Sequence, residues 1–277
     1  VTTPIFLTLR PGPGLGGWIR HHQFIRFRFP GTQAAPVKPY WPRPACALAF
    51  YPRDPETLID ARDGGQIVKP RTALIGQPTI LTHRQGGADF CVYQIEFEPG
   101  ALHRLFGGSL APLTDQTLDA ETVFPDLAEV ADQIAEAPTA DAMVAVAELW
   151  LRRRIDHCRQ DIAATDWAAA RLISGQARSL ERLADRAGLN PRTFHRAFRD
   201  RMGVSPKLFA RIARLDRMIR ARNAAPSADW LSLALDAGYY DHQHMARDFR
   251  DLCLSSPTAF QAAEQAAPER RFGIAER

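Results

Sequence analysis

Between residues 179 and 260 the chain repeats itself. Leu180, Leu183, Ala184, Ala187 and Gly188 correspond to Trp230, Leu233, Ala234, Ala237 and Gly238, a constant offset of 50. After one added residue, Phe194, Arg196, Phe198, Ser205 and Pro206 correspond to Met245, Arg247, Phe249, Ser256 and Pro257, an offset of 51. A fixed-period repeat marks a duplicated supersecondary unit, and this one restricts the last third of the chain to two copies of one small helical device.

One copy shows what the device is. Ser179 suits the N-cap of a helix whose Leu180, Leu183, Ala184 and Ala187 share a face. Gly188 falls where the chain needs a left-handed residue, and Asn190-Pro191 fits the cap and first position of a second helix. That helix places Phe194 and Phe198 inward and leaves Arg192, Thr193, His195, Arg196 and Arg199 outward, before Gly203 ends it. A short helix, a glycine turn and a second, basic helix is a helix-turn-helix, which lays its second helix in the DNA major groove. In the second copy Asp229 and Asp241 are the expected caps, with Gln243, His244 and Arg247 outward.

The paired units, the A-G-Y-x-D-x-x-H-x-x-R-x-F string from Ala237 to Phe249, and Ser-Pro after each second helix resemble the AraC/XylS family of bacterial transcription regulators. The resemblance covers roughly residues 168–264. It implies two helix-turn-helix units joined by one long helix and reading successive major-groove segments on one DNA face. One departure stands out: Leu254 occupies the place of Gly203, so the last turn there ends without an easy left-handed residue.

Charge is distributed accordingly. The net charge is +4, but from Arg171 onward there are 19 Lys and Arg against 12 Asp and Glu, leaving 16 against 19 in the remainder. A basic half beside a mildly acidic one suggests a polyanion-binding module attached to another domain. Of those 19 cations, 18 are arginine, which suits bidentate phosphate and guanine contacts. Cys46, Cys91, Cys158 and Cys253 are scattered, so reduced thiols are expected rather than a disulfide framework or zinc site. The opening VTTPIFLTLRPGPGLGGW has no continuous apolar stretch and no run approaches 18 apolar residues. Neither a signal peptide nor a membrane span is expected, and a cytoplasmic location is.

The fold class expected is α+β: a β-rich first domain, cupin-like by family analogy, with helices at its end, followed by an all-α domain. The expected divisions are 1–165, 166–265 and a tail, 266–277. Candidate strands are Phe24–Phe29, Ala45–Tyr51, Gln66–Val68, Ala73–Ile75, Thr79–His83 and Phe90–Phe97, with turns at Pro30-Gly31, Gly64-Gly65 and Gly86-Gly87. Ile95–Phe106 reads as a strand entering a helix. Leu127, Val130, Ala131 and Ile134 form the stripe of one amphipathic helix, with others expected at Ala140–Cys158 and Asp161–Gly175. These stripes suit a helical dimer contact or packing within the domain. Arg152-Arg153-Arg154 reads as a solvated basic turn where cations suit the helix dipole.

Base contacts are expected from Arg192, Thr193, His195, Arg196, Gln243, His244 and Arg247. The paired Arg196 and Arg247 suit guanine O6 and N7, and Gln243 suits adenine. Phosphate contacts are expected from Asn190, Arg199, Lys207, Arg211 and His242. Ser205-Pro206 opens a connecting helix to about Asn223, with Leu208, Ile212, Leu215 and Ile219 as its stripe and Arg211, Arg214, Arg217 and Arg220 off it. Its length would set the reading helices about one DNA turn, ~34 Å, apart.

No enzyme signature emerges. His21-His22 is the only His doublet in the first half, with His83 and His103 isolated, and Gly12 to Gly17 lacks the Lys-Ser/Thr of a phosphate loop. No cofactor or metal is expected. Trp41, Tyr51, Phe90 and Tyr93 would either line a ligand pocket or form plain core. Expected partners are double-stranded DNA, RNA polymerase, a small-molecule effector and a second copy of the chain. The other readings are a constitutive DNA-binding protein whose first domain serves only protein interaction, and, more remotely, a cupin-type enzyme fused to a DNA-binding domain.

Overall fold

Alternating apolar residues in the first half resolve into two antiparallel sheets. A computed structural model describes residues 4–29, 37–158, 161–177 and 179–266; the Pro30-Gly31 turn and nearly all of the 266–277 tail lie outside them. The strands are β1 (Ile5–Leu9), β2 (Ile19–Arg28), β3 (Lys38–Tyr40), β4 (Ala47–Phe50), β5 (Glu56–Asp60), β6 (Gln66–Val68), β7 (Thr72–Ile75), β8 (Thr82–Gly86), β9 (Asp89–Phe97) and β10 (Thr117–Asp119). One sheet runs β1-β2-β9-β4-β7-β10, the other β3-β8-β5-β6. Residues 79–81 do not join the expected Thr79–His83 strand. The Thr79 N–H donates to Asp115 Oδ1 and the Leu81 N–H to Leu252 O, so both donors are lost to a ladder.

Strand β9 leads through Gly100, at φ 75°, into α1 (Ala101–Phe106) as the sequence suggests. After α2 (Ala120–Val123) come α3 (Leu127–Glu136) and α4 (Ala140–Ile155), capped by Thr139. Leu127, Val130, Ala131 and Ile134 are buried in one core with Leu48, Tyr93, Ile95 and Phe97 of the sheet. The stripe offered for a dimer contact is therefore closed inside the first domain. The basic end of α4 is partly tied down, because Arg154 pairs with Asp126 and Arg152 donates to Pro13 O at 2.9 Å.

The four aromatics named as a possible pocket do not share one. Tyr93 belongs to the main core, Tyr51 and Phe90 to a separate cluster, and Trp41 to the core of the second helix-turn-helix. Beside Tyr51, Lys69 is fully buried, its Nζ 2.5 Å from Glu56 Oε2 and 3.2 Å from the Tyr51 hydroxyl. Such a pair survives burial because each charge has a partner.

The helical half follows α5 (Ala164–Ile173), α6 (Leu180–Arg186), α7 (Pro191–Met202), α8 (Pro206–Ala224), α9 (Trp230–Ala237), α10 (His242–Cys253) and α11 (Pro257–Gln265). Ser179, Asn190, Ser205, Asp229, Asp241 and Ser256 each accept a backbone N–H as side-chain N-caps. Gly188, Gly203 and Gly238 take the left-handed conformation, at φ 66°, 83° and 93°. Leu254 takes it too, at 53°, so the departing residue keeps the repeat's geometry at a conformational cost. Ala168, Ala169 and Leu172 of α5 share a core with Phe194, Phe198 and Phe209. Ile212, Leu215, Met218, Ile219, Met245, Phe249 and Phe260 form the second unit's core, which also takes in Trp41 and Leu81 from the first domain.

Candidate nucleic-acid interface

Helix α7 turns Phe194, Phe198 and Met202 inward, so helical periodicity pushes Arg192, His195, Arg196 and Arg199 into solvent. Helix α10 repeats this, with Met245, Phe249 and Leu252 inward and His242, Gln243, Arg247 and Arg250 exposed. None of these outward arginines has an ion-pair partner among the described residues, so their guanidiniums are available to an incoming polyanion. Arg250 matches Arg199 at the offset of 51; the repeat itself could have shown it, yet it was not among the residues expected to touch DNA.

The remaining candidates differ in their ties. Asn190 accepts the Thr193 N–H at 2.9 Å through its carbonyl oxygen, which leaves its amide donors for a phosphate. Thr193 is half-buried and Lys207 exposed. His244 is held internally: its ring stacks on Tyr240, meets Tyr239 edge-on, and has Nε2 3.1 Å from Arg214. Burial, and then Arg214, lower its pKa, which favours a neutral ring. A base contact by His244 through Nε2 requires releasing it from Arg214.

Arg211, expected on phosphate, already has two carboxylate partners within the fold: its Nε lies 2.7 Å from Asp248 and its Nη2 2.5 Å from Asp251. The other arginines of α8 also work inside the fold. Arg214 binds Asp248 at 3.0 Å, and Arg220 binds Asp216 at 2.9 Å. Arg217 donates to Leu172 O, Ile173 O and Ala237 O at 2.6, 3.0 and 3.1 Å, joining the end of α5 to the end of α9. The basic connecting helix thus carries the two units as one body, and the periodicity of its charges gave no hint of these partners.

In the first domain, His22 is wholly buried, with Nδ1 2.8 Å from the Tyr93 hydroxyl and Nε2 3.1 Å from Glu148. It ties β2 to α4. Among the described residues no three His, Cys, Asp or Glu side chains gather where they could hold a metal ion.

A family model described as a helix-turn-helix domain matches residues 183–263. No curated protein matches the chain. Among solved structures the chain is similar to ToxT from Vibrio cholerae O395, with a TM-score of 0.50 and 11% identity over 87% of this chain and 97% of that one. It is similar to unsaturated fatty acid bound wild-type ToxT from Vibrio cholerae strain SCE256, with a TM-score of 0.50 and 10% identity over 92% and 98%. The AraC-like transcriptional activator CuxR stands further off, with a TM-score of 0.30 and 15% identity over 82% and 89%. The ToxT likeness is one of fold, a β-rich first half before a helical second half. With two capped helix-turn-helix units at 179–260 and the domain model matched over 183–263, the last third of the chain is a helix-turn-helix domain.

Proposed function

We propose that the protein reads two neighbouring major-groove segments with α7 and α10, and that its first domain adjusts this activity in response to a small molecule. The observation that carries the reading is the equivalence of Arg196 and Arg247, both exposed, one on each reading helix, above Phe198 and Phe249. Arg192, Thr193, His195 and Gln243 complete the base-reading set, with His244 joining once released from Arg214. Asn190, Arg199, Lys207, His242 and Arg250 grip phosphates. The β-rich domain spans 1–165 and the DNA-binding domain 166–265; the packing of Ala168, Ala169 and Leu172 of α5 with Phe194, Phe198 and Phe209 supports that division. The protein acts without turnover, in the cytoplasm, beside RNA polymerase at a promoter, and as a dimer through a surface other than the closed α3 stripe. No described helix is long and apolar enough to cross a membrane.

Effector control draws on the fatty acid bound relative and on the contact of the first domain with both helix-turn-helix units. Selection of binding sites from random duplexes by the full chain tests the DNA reading. A bipartite motif is expected, with affinity falling steeply as salt rises because arginines displace phosphate counterions. Enrichment of no sequence would overturn it. A thermal-shift screen of small molecules tests the effector, since a ligand of the native state raises Tm by mass action; no hit would favour a first domain that serves only protein contacts.

A further inference from the structure

Two segments of the first domain meet the far ends of both reading helices. At the end of α7 the Leu110 N–H donates to Asp200 O at 2.7 Å, the Ser109 hydroxyl to Asp200 Oδ1 at 3.1 Å, and the Thr114 hydroxyl to Gly203 O at 2.8 Å. At the end of α10 the Leu81 N–H donates to Leu252 O at 2.8 Å. The Leu81 side chain is buried with Leu252 and Cys253. Both grips fall in the last turn of their helix, Leu252 lying one residue beyond the counterpart of Asp200, where helices leave carbonyls without internal partners.

The two gripping segments are themselves laced together. Asp115 accepts the Thr79 N–H and the Thr79 hydroxyl, one on each carboxylate oxygen, both at 2.6 Å. The Asp115 N–H returns to Gln77 O at 3.1 Å, and the Gly76 N–H reaches Gln116 O at 3.0 Å. Gly76 lies so close to the Leu113 carbonyl that an added Cβ would fall 1.7 Å from its oxygen. Asp115 holds a left-handed φ of 58° to make these bonds, and pairing of β10 with β7 continues the lacing beyond them. Residues 76–81 and 109–116 form one crosspiece, with α7 gripped by one member and α10 by the other.

We propose that this crosspiece is a positioning element for DNA recognition, setting the separation and angle of α7 and α10 and hence the half-site spacing the protein accepts. The proposal rests on the reading of α7 and α10 as the DNA-reading helices. The connecting helix and its arginines, above all Arg217 between the ends of α5 and α9, join the two units near their middle. A second support at the far ends of both reading helices adds resistance to their rotation against each other. Spacing is sensitive to it, because one inserted base pair moves a half-site by ~3.4 Å and turns it by ~35°. Asp115 and Thr79 are then positioning residues that touch neither α7 nor α10.

The test uses the full chain and duplexes carrying the two selected half-sites at the preferred spacing or shifted by one or two base pairs. The unaltered protein should discriminate against a one-pair shift by about tenfold or more, the scale of one lost base contact. Asp115→Ala, and separately Thr79→Val and Thr114→Val, should lower that ratio to about threefold or less. Affinity for a single half-site should stay unchanged, and thermal unfolding of each variant should confirm a folded chain. An unchanged spacing profile in variants that remain folded would overturn the proposal, as would an equal loss of affinity at every spacing. Absence of any sequence preference in the unaltered protein would instead overturn the DNA reading on which the proposal stands.

Discussion

The indole N–H of Trp41, in the first domain, donates to the carboxylate of Asp216, midway along α8, at 2.8 Å. Both side chains are buried, and the same carboxylate also takes the Nε of Arg220 at 2.9 Å. A hydrogen bond to a buried charge lacks competition from water, so it contributes more than a surface bond. Trp41→Phe keeps an aromatic ring but deletes the donor, and should cost about 1–3 kcal/mol of stability. Trp41→Ala also empties the space against Phe260 and should cost about 3–5 kcal/mol. Urea unfolding of the full chain measures both; no loss of stability in Trp41→Phe would mean that the indole N–H contributes nothing.

Gly203 and Leu254 hold the same left-handed turn in the two copies, and substitutions there should act with opposite signs. Gly203→Ala adds a Cβ about 3.0 Å from Thr114 Oγ1 and 3.3 Å from Leu110 O at a φ of 83°. It should destabilise by more than about 1 kcal/mol. Leu254→Gly relieves the left-handed cost and loses a side chain already 44% exposed. It should stabilise by about 0.5–1 kcal/mol. Midpoints of thermal unfolding check the pair, and a loss of stability in Leu254→Gly would show that the leucine's packing outweighs its backbone strain.

Lys69 links stability to pH. Burial first, then the Arg84 charge, pull its pKa down to about 8, against the opposing pull of Glu56. An unfolded lysine keeps its proton to about pH 10.4. Between those values the unfolded chain binds the extra proton, so this residue makes stability rise with pH and lose that gain as pH falls toward 8. The unfolding free energy of the unaltered protein, less that of Lys69→Met, should therefore climb by on the order of 2 kcal/mol from pH 8 to 10. A flat difference would place the Lys69 pKa near its ordinary value.

The helical half was largely legible in the sequence because its signals are local. Caps such as Ser179 and Asp241, the left-handed glycines, and the spacing of Phe194 and Phe198 are each set within a few residues. Partners distant in sequence were not legible. Nothing near Arg211 announces Asp248, and nothing near Arg217 announces the carbonyls of Leu172 and Ala237. The misplaced Thr79–His83 strand has the same origin, since its N–H groups are claimed by Asp115 and Leu252. Burial by remote elements likewise decided the α3 stripe, whose amphipathicity fits a dimer seam as well as a sheet face.

The most direct test of the account is a base-by-base affinity profile of the selected operator for the unaltered protein and for Arg196→Ala, Arg247→Ala and Lys207→Ala. Arg196→Ala should relax base preference in one cluster and Arg247→Ala in another about one helical turn away, each losing roughly 1–3 kcal/mol. Lys207→Ala should weaken all sequences about equally and reduce the salt slope by about one unit. If both arginine variants lose affinity with base preference unchanged, the paired arginines hold phosphates, and the claim that each reads its own half of the operator is wrong.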